Sequence, residues 1–298
     1  DRGNPLRAAR AGFEALAAVG AARGVLRKRG ADVVMGGGGF VAGPAGLAAA
    51  LTRTPLVLTE ADSHMGLANR LLAGRARRVC LAFPIAGREG ERYLVTGRPV
   101  PAGVVGGDRA TARERLGVPT EARCLMVFGG SQGARSINFA ALEAFAERAG
   151  RDFHVVHLSG RRDHEELAGR LVAAPYKGDY RLSPYEPDFG AVLAASDLVL
   201  GRSGGSVFEV LAAGRPEILV PYPHATADHQ AANAEWMREQ GAATVIADAE
   251  LDADRLASEV AELFGDPERL ERMAAAARRV AKPDAARRIA DEVLAAAR

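Results

Sequence analysis

Three glycine-rich loops carry the residues best suited to hold a charged ligand. They are Gly36-Gly37-Gly38-Gly39-Phe40-Val41-Ala42-Gly43-Pro44-Ala45-Gly46, Gly129-Gly130-Ser131-Gln132-Gly133-Ala134-Arg135 and Gly201-Arg202-Ser203-Gly204-Gly205-Ser206. Glycine lets a backbone approach a ligand closely and take positive φ. A helix start just beyond offers unpaired N–H groups and partial positive charge, which suits a phosphate. One such loop can be a plain turn, whereas three in one chain favour an anion site. Gly129-Gly130-x-x-Gly133 departs from G-x-G-x-x-G, no acid ends the following strand, and a Walker lysine is absent. A nicotinamide enzyme and an NTPase are therefore disfavoured.

The polar residues near these loops admit more than one role. Glu209 follows Ser206 by three positions. One turn into a helix that faces phosphate, a carboxylate can chelate two ribose hydroxyls. The same spacing fits a capping box, and spacing alone does not choose. Asp228-His229-Gln230 with Asn233 gathers hydrogen-bonding side chains of the kind sugar hydroxyls require, or simply opens a polar helix. Glu60 and Asp62 stand beside His64 after an expected strand, where either could act as a general base. Asp62 and Ser63 suit a helix cap equally well. His154 and His157 fall within a strand and read as structural. Asp252-Ala253-Asp254 has the form of a metal clamp but opens a helix, so capping is expected and no protein-held metal.

The elements that must position these residues follow from the apolar pattern. Short strands are expected at 32–35, 55–59, 78–82, 93–96, 124–128, 154–158, 198–200, 218–220 and 244–246. Helices are expected between them, at about 12–29, 44–53 and 64–73 in the first part. Continuous Val/Leu/Ile runs alternating with helices indicate parallel sheets covered on both faces. The connector Gly97-Arg98-Pro99-Val100-Pro101-Ala102-Gly103 divides the chain. The expected organisation is an N-terminal domain at 1–97, a linker at 98–107 and a C-terminal domain at 108–281. A kinked terminal helix at 282–298 is expected to cross back to the first domain. The fold class is α/β, with two doubly wound domains. The first opens inside what reads as a later helix, as if roughly 50–70 residues of strand-loop-helix were missing.

Bulk properties agree with this plan. The 298 residues suit two domains, and 48% apolar with 26% charged residues excludes a mainly disordered chain. Residues 33–52 carry no charge, but four adjacent glycines and a proline make strand, loop and helix a better reading than a membrane span. Cys80 and Cys124 form no CxxC or metal spacing, which points to a reducing, cytosolic compartment. The charge is uneven. Residues 1–97 hold 14 basic and 7 acidic side chains, a balance of +7, while the remainder holds 25 and 30, a balance of −5. The basic half could meet an anionic surface. Lipid headgroups are favoured over nucleic acid, because aromatic residues for base stacking are few.

The motifs together resemble a known family. Gly36 through Ala49, Gly66-Leu67-Ala68-Asn69-Arg70, Val127 through Arg135, Arg202-Ser203-Gly204 with Glu209, and Asp228-His229-Gln230 with Asn233-Ala234 occur in the order found in MurG-type glycosyltransferases. The resemblance implies a GT-B fold, in which two Rossmann-like domains face a cleft. It implies inverting transfer of N-acetylglucosamine from its UDP-sugar to an undecaprenyl-pyrophosphate-linked muramyl pentapeptide, with no cofactor. By position, Gly130, Ser131, Gln132 and Gly133 would hold the donor diphosphate. Ser203 and Gly204 would also bind the donor, Arg202 would support the phosphate loop, and Glu209 would take the ribose. The backbone near Glu186 would hold uracil, and His229 and Gln230 the hexose. Gly36, Gly37, Gly38, Gly39, Asn69 and Arg98 would serve the acceptor. The first domain would rest on the cytoplasmic face of the cell membrane.

The chain departs from the family in two places. Thr59-Glu60-Ala61-Asp62 stands where the family reads His-Glu-Gln-Asn, and Gly97-Arg98-Pro99-Val100-Pro101 stands for Gly-Asn-Pro-Val-Arg. Both touch the acceptor side. The alternatives are a paralogue with another glycolipid or secondary-metabolite acceptor, a non-catalytic nucleotide-sugar-binding protein, and a sugar-nucleotide epimerase of the same fold.

Overall fold

The computed structural model describes residues 5–130, 133–148, 150–225 and 228–297. The chain divides into two compact units. One comprises Asp1–Pro99 with Asp284–Arg298, the other Val100–Pro283.

The first unit is built on four parallel strands in the order β1-β2-β3-β4: Val34–Gly36, Leu56–Glu60, Arg78–Leu81 and Tyr93–Val95. Helices α1 (Pro5–Arg29), α2 (Gly39–Thr52) and α3 (Leu67–Leu72) connect or flank them. Alternation along β2 sends its side chains to two faces. Leu56 and Leu58 pack with Val79, Leu81, Met65 and Leu72. Val57 and Cys80 instead meet Ile289 and Ala296 of the last helix, α12 (Ala285–Ala297). Arg78 Nε ties that helix down through Glu292 Oε2 at 2.7 Å. Burial pushes the Cys80 thiol up to about 11.

The second unit contains six parallel strands. In chain order they are β5 (Arg123–Phe128), β6 (Phe153–Leu158), β7 (Tyr180–Ser183), β8 (Leu198–Gly201), β9 (Glu217–Leu219) and β10 (Ala243–Val245). The spatial order is β10-β9-β8-β5-β6-β7. Read from β7, that is 3-2-1-4-5-6, the doubly wound order whose direction reverses between the first and fourth strands. Here the reversal lies between β5 and β8, and ligands in such sheets bind beyond the strands' carboxyl ends at that point. The helices are α4 (Arg109–Leu116), α5 (Arg135–Leu142, continued as a π-helical turn to Arg148), α6 (His164–Ala173) and α7 (Phe189–Ala195). They continue as α8 (Val207–Ala212), α9 (His229–Glu239), α10 (Ala253–Gly265) and α11 (Pro267–Val280). Leu125, Val127, Leu198 and Leu200 anchor the core on one face, and Cys124, Met126, Phe128 and Val199 on the other.

The expected strands occur within one or two residues of their positions, and β7 adds one the sequence pattern did not announce. It is a four-residue edge strand, with Tyr180 buried and Arg181 exposed, too short and too polar to form an apolar run. Asp252 accepts from Arg255 N at 2.7 Å and caps α10, so that acid serves as a cap.

Candidate functional site

A cavity of about 390 Å³ opens in the second unit. Its lining draws on the ends of three strands and two helix starts: Phe128 and Gly130 after β5, Gly160 after β6, Glu186 after β7, Phe189 of α7, and Glu209 of α8. Phe128 and Phe189 meet edge to face at 5.1 Å, forming an apolar wall suited to a flat ring. The sequence-expected Gly130, Glu186 and Glu209 thus share one space. Ser131 and Gln132 lie outside the described residues.

Glu209 sits in the first turn of α8 and lines the cavity. Ser206 opens that helix without the side-chain hydrogen bond a capping box requires, so the box is not what holds this pair in place. The Glu186 carboxylate is engaged through one oxygen: Oε1 accepts from Asp188 N at 3.1 Å and faces Arg115 at 3.5 Å.

Gly133, which closes the second glycine loop, is backed by a buried polar chain. Asn138 Nδ2 donates to Ser159 O at 2.9 Å and to Asp163 Oδ2 at 3.0 Å. Both partners only accept, which fixes the amide orientation and leaves Oδ1 facing His157 Nε2 at 3.0 Å. His157 must therefore donate from Nε2, and its Nδ1 accepts from the Tyr180 hydroxyl at 2.7 Å. Burial holds the imidazole neutral, with its pKa lowered to about 3. The chain of donors ends on Ser159 O, against which Gly133 rests. A Cβ on Gly133 would come within 2.3 Å of that oxygen. Neither Asn138 nor His157 was a candidate from sequence, since only the three-dimensional register brings them together.

Arg202 braces the loops at the strand ends. It donates to Val220 O at 3.0 Å, Pro221 O at 3.2 Å and Asp248 Oδ1 at 2.5 Å, and to Ser136 Oγ in the first turn of α5 at 2.9 Å. Four loops at the carboxyl edge of the sheet are joined through this one side chain. The expectation for Ser203 needs correction. It is fully buried and its hydroxyl donates to Gln230 O at 2.7 Å, so it holds the start of α9 and does not face a ligand. Asn233 Nδ2 reinforces the join by donating to Ser203 O at 3.0 Å. Gln230 Oε1 accepts from Tyr222 N at 3.0 Å, leaving its amide N–H groups beside Gly204, whose missing Cβ would lie 3.8 Å from Nε2. His229 opens α9 next to it, half-buried.

In the first unit the loop after β1 carries Gly38 and Gly39 at φ +82° and +73°, a region that L side chains rarely enter. Gly36 and Gly37 lead into it. Glu60 ends β2 beside this loop and is 8% exposed. Its Oε1 accepts from Ala61 N at 3.0 Å and Asp62 N at 3.4 Å. Its Oε2 accepts from Gly66 N and Asn69 Nδ2, both at 2.9 Å. A general base needs a lone pair free for the incoming proton. Glu60 spends its lone pairs on the turn into α3, which makes it a brace. Asn69 also donates to Thr59 O at 2.9 Å, while its Oδ1 is buried without a partner in this structure. Asp62 is half-buried at the same strand end. Arg98 stands beyond β4, half-buried in the connector. Among the described residues, no cluster of three His, Cys, Asp or Glu side chains has metal-binding geometry. No described helix is long and apolar enough to cross a membrane.

Comparison with known proteins agrees with this geometry. Residues 5–81 match the glycosyltransferase family 28 N-terminal domain, and residues 124–289 match its C-terminal domain. A relative from Moorella thermoacetica is 43% identical over 272 residues, covering 88% of this chain and 73% of its own. A relative from Rubrobacter xylanophilus is 39% identical over 300 residues, covering 99% of this chain and 86% of its own. Both are named UDP-N-acetylglucosamine–N-acetylmuramyl-(pentapeptide) pyrophosphoryl-undecaprenol N-acetylglucosamine transferase. The crystal structure of Acinetobacter baumannii MurG superposes with a TM-score of 0.77 at 28% identity, covering 96% of this chain and 79% of that one.

Proposed function

Since the chain belongs to glycosyltransferase family 28, we propose that it transfers N-acetylglucosamine from UDP-N-acetylglucosamine to an undecaprenyl-pyrophosphate-linked muramyl pentapeptide, the lipid I to lipid II step of peptidoglycan synthesis. The observation that carries this reading is the cavity at the β5/β8 reversal. It presents an aromatic wall for uracil, a carboxylate one turn into α8 for ribose, and a glycine loop at a helix start for the diphosphate. The acceptor hydroxyl loses its proton and attacks the anomeric carbon with inversion. The bond to the diphosphate oxygen breaks, and loop amides and helix starts stabilise the charge that develops on the departing UDP. With Glu60 committed to its turn, Asp62 is the carboxylate we assign as proton acceptor.

A transfer assay with UDP-N-acetylglucosamine and a lipid I analogue tests both statements. Turnover is expected for the intact protein. The Asp62→Asn variant is expected to be slower in kcat by about 10²–10⁴-fold with an unchanged donor KM. Donor hydrolysis or epimerisation without transfer would refute the acceptor, and full kcat in the variant would refute the base.

The reading also makes the enzyme a peripheral protein on the cytoplasmic face of the cell membrane. It is supported by large apolar side chains exposed on α2 and α3: Phe40, Val41, Leu47, Leu51, Leu67 and Leu71. Arg70 and Arg75 lie in the same stretch of chain and suit anionic headgroups. Sedimentation with phosphatidylglycerol vesicles is expected to pull down the intact protein. Leu51→Glu combined with Leu71→Glu is expected to lower the partition about tenfold or more. Equal binding by the double variant would move the contact elsewhere.

A further inference from the structure

Arginine is abundant in the second unit, and its guanidinium groups are almost all engaged. Arg115 meets Glu186, Arg135 pairs with Glu166, Arg162 with Asp163 and Arg202 with Asp248. Every other arginine from Val100 to Pro283 also has a hydrogen-bond or ion-pair partner, with a single exception. The exception is Arg161, which is exposed and has no such partner among the described residues.

Its place in the fold is specific. Arg161 follows Gly160, which lines the cavity, and Ser159, whose carbonyl is packed against Gly133. Two residues span at most about 7 Å of chain, so the Arg161 backbone stays close to Gly133. The turn that carries it is pinned by Asn138 to Ser159 O and Asp163 Oδ2, and by Ser159 N to Ser183 O at 3.0 Å. A pinned turn thus carries one uncommitted cation directly after Gly160, which lines the cavity.

We infer that Arg161 is the side chain that meets the donor's diphosphate. This rests on the UDP-sugar reading above and adds to it a residue the glycine-loop motifs do not contain. Backbone amides supply partial charge, whereas a guanidinium supplies a full charge and paired N–H donors matched to phosphate oxygens. As the bond from the anomeric carbon breaks, its electron pair passes to the diphosphate oxygen. Arg161 strengthens its hydrogen bonds to that group as the charge grows, and gives up no proton.

Calorimetry on the intact protein with UDP and with uridine tests this. Arg161→Ala is expected to weaken UDP binding about 10- to 100-fold and leave uridine within about twofold. Arg161→Lys is expected to recover much of the loss, and kcat with UDP-N-acetylglucosamine to fall in the alanine variant while its melting temperature holds. UDP affinity unchanged in Arg161→Ala overturns the inference. An equal loss for uridine overturns it too, because the turn itself would then have been disturbed. If the unsubstituted protein binds neither compound, the donor-site reading falls and this inference with it.

Discussion

Gly133→Ala is expected to abolish UDP binding and to reduce transfer by at least about 10²-fold, while the protein still folds. The effect has two causes that act at one atom. Gly133 holds φ at +76°, where a non-glycine residue is strained by roughly 1–2 kcal/mol. The added methyl would also lie 2.3 Å from Ser159 O and 3.3 Å from Asn138 Nδ2. Neither neighbour can yield, because Asn138 is held by His157 and Asp163, and Ser159 by β7. The loop must move instead, and a displacement near 1 Å at a reacting centre costs about 10²-fold in rate. Calorimetry with UDP, steady-state kinetics and a thermal melt give the three readouts. Normal UDP affinity in this variant would mean that the diphosphate does not lie on this loop.

The second large effect concerns stability. Glu217 opens β9 fully buried between Val199 and Ala243, and neither carboxylate oxygen has a partner in this structure. Desolvation raises its pKa well above the ordinary glutamate value. The folded protein therefore keeps a proton on Glu217 that the unfolded chain releases above about pH 4.3. Stability from this group is complete below that pH and declines as pH rises toward the folded-state pKa, at up to about 1.4 kcal/mol per pH unit. Glu217→Gln removes the slope but leaves an unpaired amide. Glu217→Met removes both, and should stabilise the protein at pH 8 by about 1–3 kcal/mol. Melting temperatures from pH 5 to 8.5 decide the matter. A slope that survives in both variants would assign it to another group.

These two positions show what the amino-acid pattern disclosed and what it withheld. β5 and β6 are apolar runs bounded by polar turns, and their ends were legible to within a residue. The glycine loops were legible as well, because positive φ and close packing both demand glycine. What stayed hidden depends on partners distant in sequence. Glu60 could be recognised as an acid at a strand end, but its commitment to Gly66 N and Asn69 Nδ2 requires the turn to be built. The Ser206–Glu209 spacing was ambiguous until the helix start showed no side-chain cap. Ser203 reads as a ligand-facing hydroxyl until Gln230 and Asn233 close over it. His157 reads as structural from its place in a strand, yet nothing local indicates that Asn138 and Tyr180 flank it.

The packing of α12 sets an order for synthesis on the ribosome. Val57 and Cys80 emerge early, but Ile289 and Ala296, which cover them, are made only after the whole of Val100–Pro283. At cellular translation speeds that interval is roughly ten to forty seconds. The later-encoded unit can complete its core before the earlier one, whose sheet face stays uncovered meanwhile. Cys80 leaves solvent only when α12 docks.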